Sequence, residues 1–368
     1  MTTTADKQYP ELFKSIRIGN LELSNRVVLS PMTRTSATED GLATDRMIKY
    51  YSKFAKGGFG LLITEGIYPD ELYSQGYFGQ PGLANDKQVL AWSKVTAAVH
   101  ENRARIFAQL MHAGAISQGN RYKDVSIGPS AVMPKEAKLE MYGGSGTFSV
   151  PREATKEEIQ QVIQGFADAA RRARQAGFDG VEIHGANGYI LDQFLTDYVN
   201  QRTDEYGGST AKRARLLVEV SQAVRQAVGQ DFVVGIRISQ AKVNDFTHKW
   251  AEGEKDGEII FKSLGEAGLD YIHTTEYNAN QPPFGEEGPA LAELAKKYGK
   301  VTVIANGNLD DPTDAENMIA NKQADLIALG KAALANQNWP IRIAQNETLD
   351  TFDGTVLQPT AVVKDSEL

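Results

Sequence analysis

Val181 to Leu195 reads "VEIHGANGYILDQFL". It opens as a strand buried on both faces, then turns polar at His184, Asn187 and Tyr189, where such a strand should end. With the residues just before it, "FDGVEIH" (Phe178 to His184) is one of eight short β-rich runs. The others are "RVVLS" (Arg26 to Ser30), "FGLLIT" (Phe59 to Thr64), "RIFAQLM" (Arg105 to Met111), "FVVGIRIS" (Phe232 to Ser239), "LDYIHTT" (Leu269 to Thr275), "VTVIAN" (Val301 to Asn306) and "ADLIALG" (Ala324 to Gly330).

Between the runs the apolar period becomes helical. Thr155 and Glu158 form a capping box ahead of a face made by Ile159, Val162, Ile163, Phe166 and Ala170. Asp311 before Pro312 marks another helix start. Eight buried strands separated by helices predict an α/β fold, a (β/α)8 barrel in one domain spanning 1–368. An open doubly wound sheet is the alternative that the pattern alone leaves. Two segments lie outside the repeat. "SIRIGNLELSN" (Ser15 to Asn25) reads as a hairpin turning at Gly19-Asn20, a lid on the barrel bottom. The stretch from about His112 to Arg152, rich in Gly, Ser and Pro, is expected to be an insertion over the active-site mouth, because it follows the third strand.

The 368 residues carry 47 acidic and 39 basic side chains, a net charge of -8, which argues against nucleic acid or anionic membrane as a partner. There is no cysteine, so disulfides, iron–sulfur clusters, thiolate metal sites and cysteine nucleophiles are excluded. "MTTTADKQYP" has no apolar signal core, and no apolar run approaches the roughly 18 residues of a membrane span. A cytoplasmic protein is expected, and a homo-oligomer is compatible with the sequence.

In a barrel of this kind chemistry sits where strands end. Polar or glycine residues at those ends are Thr33, Gly66, Gln109, His112, His184, Asn187, Tyr189, Arg237, the "NGN" of Asn306 to Asn308, and Gly330-Lys331. Seven of the eight runs thus deliver a candidate to one rim. His-x-x-Asn lacks the second histidine or carboxylate of a metal site, so no metal is expected. Gly307, Asn308, Gly330 and Lys331 follow the last two strands, where barrels commonly hold a phosphate on backbone N–H groups.

The motifs "SPMTR" (Ser30 to Arg34), "TEG" (Thr64 to Gly66), "SQGYFGQPGL" (Ser74 to Leu83), "AQLMHAG" (Ala108 to Gly114), "VEIHGANGYILDQFL", "NQRTDEYGGS" (Asn200 to Ser209), "GIRIS" (Gly235 to Ser239), "NGN" and "ALGK" (Ala328 to Lys331) occur in that order. From about residue 10 to 345 the chain resembles the Old Yellow Enzyme family of flavin-dependent ene-reductases. The resemblance implies non-covalent FMN, NAD(P)H as reductant and small activated alkenes as substrates. It implies that Pro31, Met32, Thr33 and Gly66 lie along the flavin near its reactive nitrogen, that Gln109 grips the pyrimidine ring, and that Arg237 stands near N1. Gly307, Asn308, Gly330 and Lys331 fall on the family's phosphate positions. His184 and Asn187 would hold a substrate oxygen, Tyr189 would protonate the α-carbon, and Tyr77 and Met111 would line the substrate pocket. Lys331 stands where many relatives have arginine, and Met111 where several have tryptophan.

Two other functions suit some of the same residues. A barrel aldolase or isomerase would hold a phosphorylated substrate with Lys331 as catalyst, but leaves Gln109, Arg237 and the His184, Asn187, Tyr189 set without a joint purpose. A non-catalytic flavin-binding protein would hold the cofactor without turnover.

Overall fold

The computed structural model describes residues 8–368. Eight parallel strands close into a barrel: β1 (Val27–Leu29), β2 (Leu61–Ile67), β3 (Arg105–Leu110), β4 (Gly180–Asn187), β5 (Val233–Lys242), β6 (Tyr271–Thr275), β7 (Thr302–Asn306) and β8 (Leu326–Leu329). Each pairs with its sequence neighbours, and β8 closes on β1 through Ile327–Val27 to Leu329–Leu29. All eight expected strands are present, and the open-sheet alternative is excluded by that closure.

Strand side chains alternate between two apolar compartments. Val28, Leu61, Ile63, Phe107, Tyr271, Ile304 and Leu326 fill the barrel interior, and Ile18 and Leu23 of the N-terminal hairpin pack against them from below. The hairpin pairs Ile16 with Leu23 and Ile18 with Leu21, turning at Gly19-Asn20 as expected. The intervening residues, such as Leu62, Ile106, Val181 and Ile236, face the helices outside. Helix Lys156–Gln175 shows why: its capping box at Thr155 and Glu158 fixes the start, and Ile159, Val162, Phe166 and Ala170 bury one face. Asp311 likewise caps helix Pro312–Ala320 by accepting from the Thr313 N–H at 2.7 Å. No helix among the described residues is long and apolar enough to cross a membrane.

The long excursion after β3 holds two 3-10 turns (Gly114–Ile116, Glu140–Tyr142), a two-residue pairing of Ile127–Gly128 with Arg152–Glu153 and an isolated antiparallel bridge between Ala137 and Thr147. It is tied to the loop after β5 by the Lys135–Asp245 ion pair at 2.6 Å, and to the C-terminal segment by the Ala361 N–H donating to Met141 O at 2.7 Å. That segment is itself anchored. The Arg34 guanidinium, fully buried, donates to both carboxylate oxygens of Glu367 at 2.5 and 2.6 Å and to Ala361 O at 2.9 Å.

Candidate active site

A cavity of about 660 Å³ opens at the C-terminal ends of the strands. The structure brings nearly every sequence-derived candidate to it: Pro31, Met32 and Thr33 after β1, Gly66 on β2, Gln109 and Met111 at β3, His184, Asn187 and Tyr189 at β4, Arg237 on β5, Gly307 and Asn308 after β7, Gly330 and Lys331 after β8. Tyr77 is placed differently. It is 1% exposed and stands behind the lining, with its hydroxyl hydrogen-bonded to that of Tyr189. The aromatic that reaches the cavity from the cover segment is Tyr142, its ring 4.9 Å from that of Tyr77. His112 is buried and structural, its Nδ1 accepting the Gly114 N–H at 3.1 Å.

The opening stretch bends as its composition requires. β4 runs to Asn187, whose φ of 61° and the φ of 87° at Gly188 turn the chain into the short helix Ile190–Leu195. At its edge the Ala186 N–H donates to His184 Nδ1 at 3.3 Å, which leaves Nε2 as the protonated nitrogen. Burial, reinforced by Arg237 and His273, holds the His184 pKa well below the usual imidazole range. The ring is therefore a neutral donor at physiological pH. Burial pushes the Tyr189 phenol up, so it keeps its proton, while its hydrogen bond with Tyr77 works in the opposite sense.

Beneath them lies a polar layer inside the barrel. Arg237 donates through Nη2 to Asn306 Oδ1 at 2.9 Å, Thr275 Oγ1 at 3.2 Å and Ser30 Oγ at 3.3 Å, yet its buried Nε has no partner. Glu182 accepts from Gln109 Nε2 at 2.8 Å and Tyr271 OH at 3.1 Å, and sits 2.8 Å from His273 Nδ1. Burial pushes the Glu182 carboxyl up, but His273, Arg237 and Gln109 outweigh it and hold it low. Gln109 must then direct its NH2 group downward, which leaves its carbonyl oxygen for a ligand.

In the same cavity the loops after β7 and β8 have backbone suited to an anion. Gly307 has φ 142°, and a Cβ there would lie 2.3 Å from Glu276 O, so only glycine fits. Asn308 follows at φ 52°, and Gly330 precedes the short helix Lys331–Ala335. A cofactor with a hydrogen-bonding ring and a phosphate fits these groups: an unpartnered guanidinium nitrogen and an amide for the ring, glycine N–H groups and a lysine for the phosphate.

Residues 11–350 match the sequence profile of the NADH:flavin oxidoreductase / NADH oxidase family. The chain belongs to this family. It is 36% identical over 340 residues to the NADH oxidase of Thermoanaerobacter brockii, covering 90% of this chain but 50% of the relative, so the chain spans about half the length of that protein. It is 34% identical to 12-oxophytodienoate reductase 2 of Arabidopsis thaliana, covering 96% of this chain and 93% of the relative. Among solved structures, the Old Yellow Enzyme homologue from Zymomonas mobilis superposes with a TM-score of 0.86 at 30% identity, covering 97% of this chain and 98% of that one. Morphinone reductase in complex with tetrahydroNAD follows at 0.83 and 32%, covering 94% and 93%. The chain is thus a flavin oxidoreductase of the Old Yellow Enzyme family, with FMN as cofactor and NAD(P)H as reductant.

In this Old Yellow Enzyme homologue several structural contributors escaped the sequence reading. Glu182 was visible as a lone charge in an otherwise apolar strand, a signal that could have been used. Tyr142 sits in a segment without periodicity, and the buried Lys242–Asp192 pair joins residues far apart in sequence. Neither had a local signal.

Proposed function

We propose that this enzyme reduces activated alkenes, α,β-unsaturated carbonyls or nitroalkenes. The observation that carries the reading is the convergence of a neutral His184 Nε2–H, Asn187 and a protonated Tyr189 on one wall of the cavity. FMN held in this cavity would supply the hydride chemistry that links NAD(P)H to the substrate β-carbon. Thr33, with Pro31, Met32 and Gly66, would flank the flavin, Gln109 would hold its pyrimidine edge, and Arg237 would face the charge that accumulates on its reduced form. Gly307, Asn308, Gly330 and Lys331 would bind its phosphate.

His184 and Asn187 would donate to the substrate oxygen. Negative charge grows on that oxygen as hydride arrives, so donors already in place favour the transition state over the ground state. Because His184 is neutral, it stabilises that charge without surrendering a proton of its own. Tyr189 supplies the proton to the α-carbon, and Tyr77, hydrogen-bonded to it, would donate to the phenolate left behind. Met111 and Tyr142 would shape the alkene's surroundings.

The test is an anaerobic visible spectrum of the purified protein before and after NADPH, then after a cyclic enone. Flavin bands that bleach and return support the reading. Bands that bleach and stay bleached with enones and nitroalkenes alike would remove the alkene from it, and bands that never bleach would favour a flavin store.

A further inference from the structure

The Asn187-Gly188-Tyr189 turn carries two of the three polar side chains of the site, and its backbone is not one the chain adopts freely. Asn187 lies at φ 61° and Gly188 at φ 87°. A non-glycine residue in the left-handed region persists where its surroundings over-determine it. Here they do. The Asn187 N–H donates to Ser239 Oγ at 2.8 Å, the Val243 N–H donates to Asn187 O at 3.1 Å, and Gln193 Nε2 donates to Gly188 O at 2.7 Å. The Tyr189 N–H donates to Ala186 O at 3.3 Å, and the last backbone donor of the turn, the Gly188 N–H, goes to Asp192 Oδ2 at 2.7 Å.

Asp192 is fully buried, and what makes its carboxylate tenable is Lys242. The Lys242 Nζ lies 2.9 Å from both carboxylate oxygens and 3.2 Å from Gln240 O, with the side chain 2% exposed. Asp192 belongs to the helix that follows β4, and Lys242 is the last residue of β5. Neither lines the active-site cavity. A buried ion pair often returns little net stability after desolvation, so stability alone is a weak reason for this one. Its spare carboxylate acceptor is directed at the single backbone donor of the turn that nothing else satisfies.

We infer that Lys242 and Asp192 are positioning residues: the pair fixes the Gly188 N–H and so sets where Asn187 and Tyr189 stand over the cavity. The inference rests on the alkene-reductase reading above. It separates two properties of the pair, charge balance and the acceptor offered to Gly188.

The test compares Asp192→Asn, Asp192→Asn/Lys242→Met and Asp192→Leu/Lys242→Met as purified holoenzymes. FMN content, melting temperature and the anaerobic return of flavin colour with a cyclic enone are measured, with recolouring by dioxygen as the control that uses no carbonyl donor. Asp192→Asn strands the Lys242 cation and should slow recolouring by the enone about tenfold or more, the scale expected when catalytic groups are displaced. Asp192→Asn/Lys242→Met, uncharged but with the amide oxygen still available to Gly188, should recover most of that rate. Asp192→Leu/Lys242→Met, also uncharged but without the acceptor, should stay slow with the enone while holding FMN and recolouring normally with dioxygen. Equal enone rates in the two double variants would overturn the inference and leave the pair as charge balance only. A parent enzyme that bleaches but never recolours with any alkene would overturn the functional reading and the inference together. Should the leucine variant lose FMN, Asp192→Ala/Lys242→Met makes the same comparison with less bulk.

Discussion

The hydroxyls of Tyr77 and Tyr189 share a hydrogen bond inside an apolar wall formed with Met111, Ile116 and Phe148. Burial alone would make Tyr189 a reluctant acid, and Tyr77, acting as donor in this bond, would offset part of that by supporting the oxygen as the Tyr189 proton leaves. Tyr189→Phe should slow the alkene half-reaction by about 10²–10⁴, the usual contribution of a general acid. Tyr77→Phe should slow the same step by roughly ten- to a hundredfold, the value of a hydrogen bond to a charged group of about 1.5–3 kcal/mol. Flavin reduction by NADPH should change little in either. Stopped-flow measurement of the two half-reactions checks this, and an unaltered alkene step in Tyr77→Phe would leave that residue as packing.

His184 makes a prediction about pH. Its ring is neutral because burial, Arg237 and His273 all disfavour a proton, so no limb of the activity profile between about pH 6 and 8 should belong to it. His184→Ala should lower kcat/KM by about 2.7–4 kcal/mol, the loss of one donor to a developing oxyanion. A profile of the parent that falls with a pKa near the ordinary imidazole value, and loses that limb in His184→Ala, would mean the ring titrates and acts as an acid.

Tyr77 and His184 mark how far the sequence could be read. Barrel strands are covered by helices outside and filled by side chains inside, so they appear as near-continuous apolar runs, and all eight were legible. The rim was legible too, because polar residues interrupt those runs where the strands end. Tyr77 was legible only as a residue of the site: nothing in "GYFG" says that its hydroxyl turns to Tyr189 rather than to the cavity. Tyr142 depends on where an irregular segment lands, and the Lys242–Asp192 pair on how the end of β5 meets the helix after β4, which tertiary packing decides and no period announces.

Arg34 offers a test of the C-terminal anchor. Its side chain is fully buried, Thr33 precedes it in the chain, and Glu367 supplies both oxygens that neutralise its guanidinium. Glu367→Ala leaves that cation unpaired, and removing one partner of a buried pair typically costs about 3–5 kcal/mol. Denaturant unfolding should show a loss of that order, together with weaker FMN retention, since the strand end carrying Thr33 loses its tie. Glu367→Gln, which still accepts hydrogen bonds, should lose less.

Glu65 should govern how stability varies near neutral pH. It is fully buried next to Gly66, and its Oε2 accepts the N–H groups of Arg34 and Thr35, each at 3.0 Å, while Oε1 has no partner. Burial pushes its carboxyl up to about 7, against the N–H donors and Arg34, which pull it down. A carboxyl raised in the folded state binds more protons folded than unfolded, so its contribution is full below the unfolded value near 4.3 and is lost as pH rises through about 7. The loss amounts to roughly 3 kcal/mol across that window. Glu65→Gln keeps an oxygen for the two N–H groups and places an NH2 where Oε1 lacked a partner, with no proton to lose. The variant should therefore gain on the parent as pH rises from about 5 to about 8, by an amount of that order. Unfolding free energies measured across this range decide it: a difference that stays constant would mean Glu65 is ionised throughout, held by Arg34 and the two amides more strongly than burial opposes.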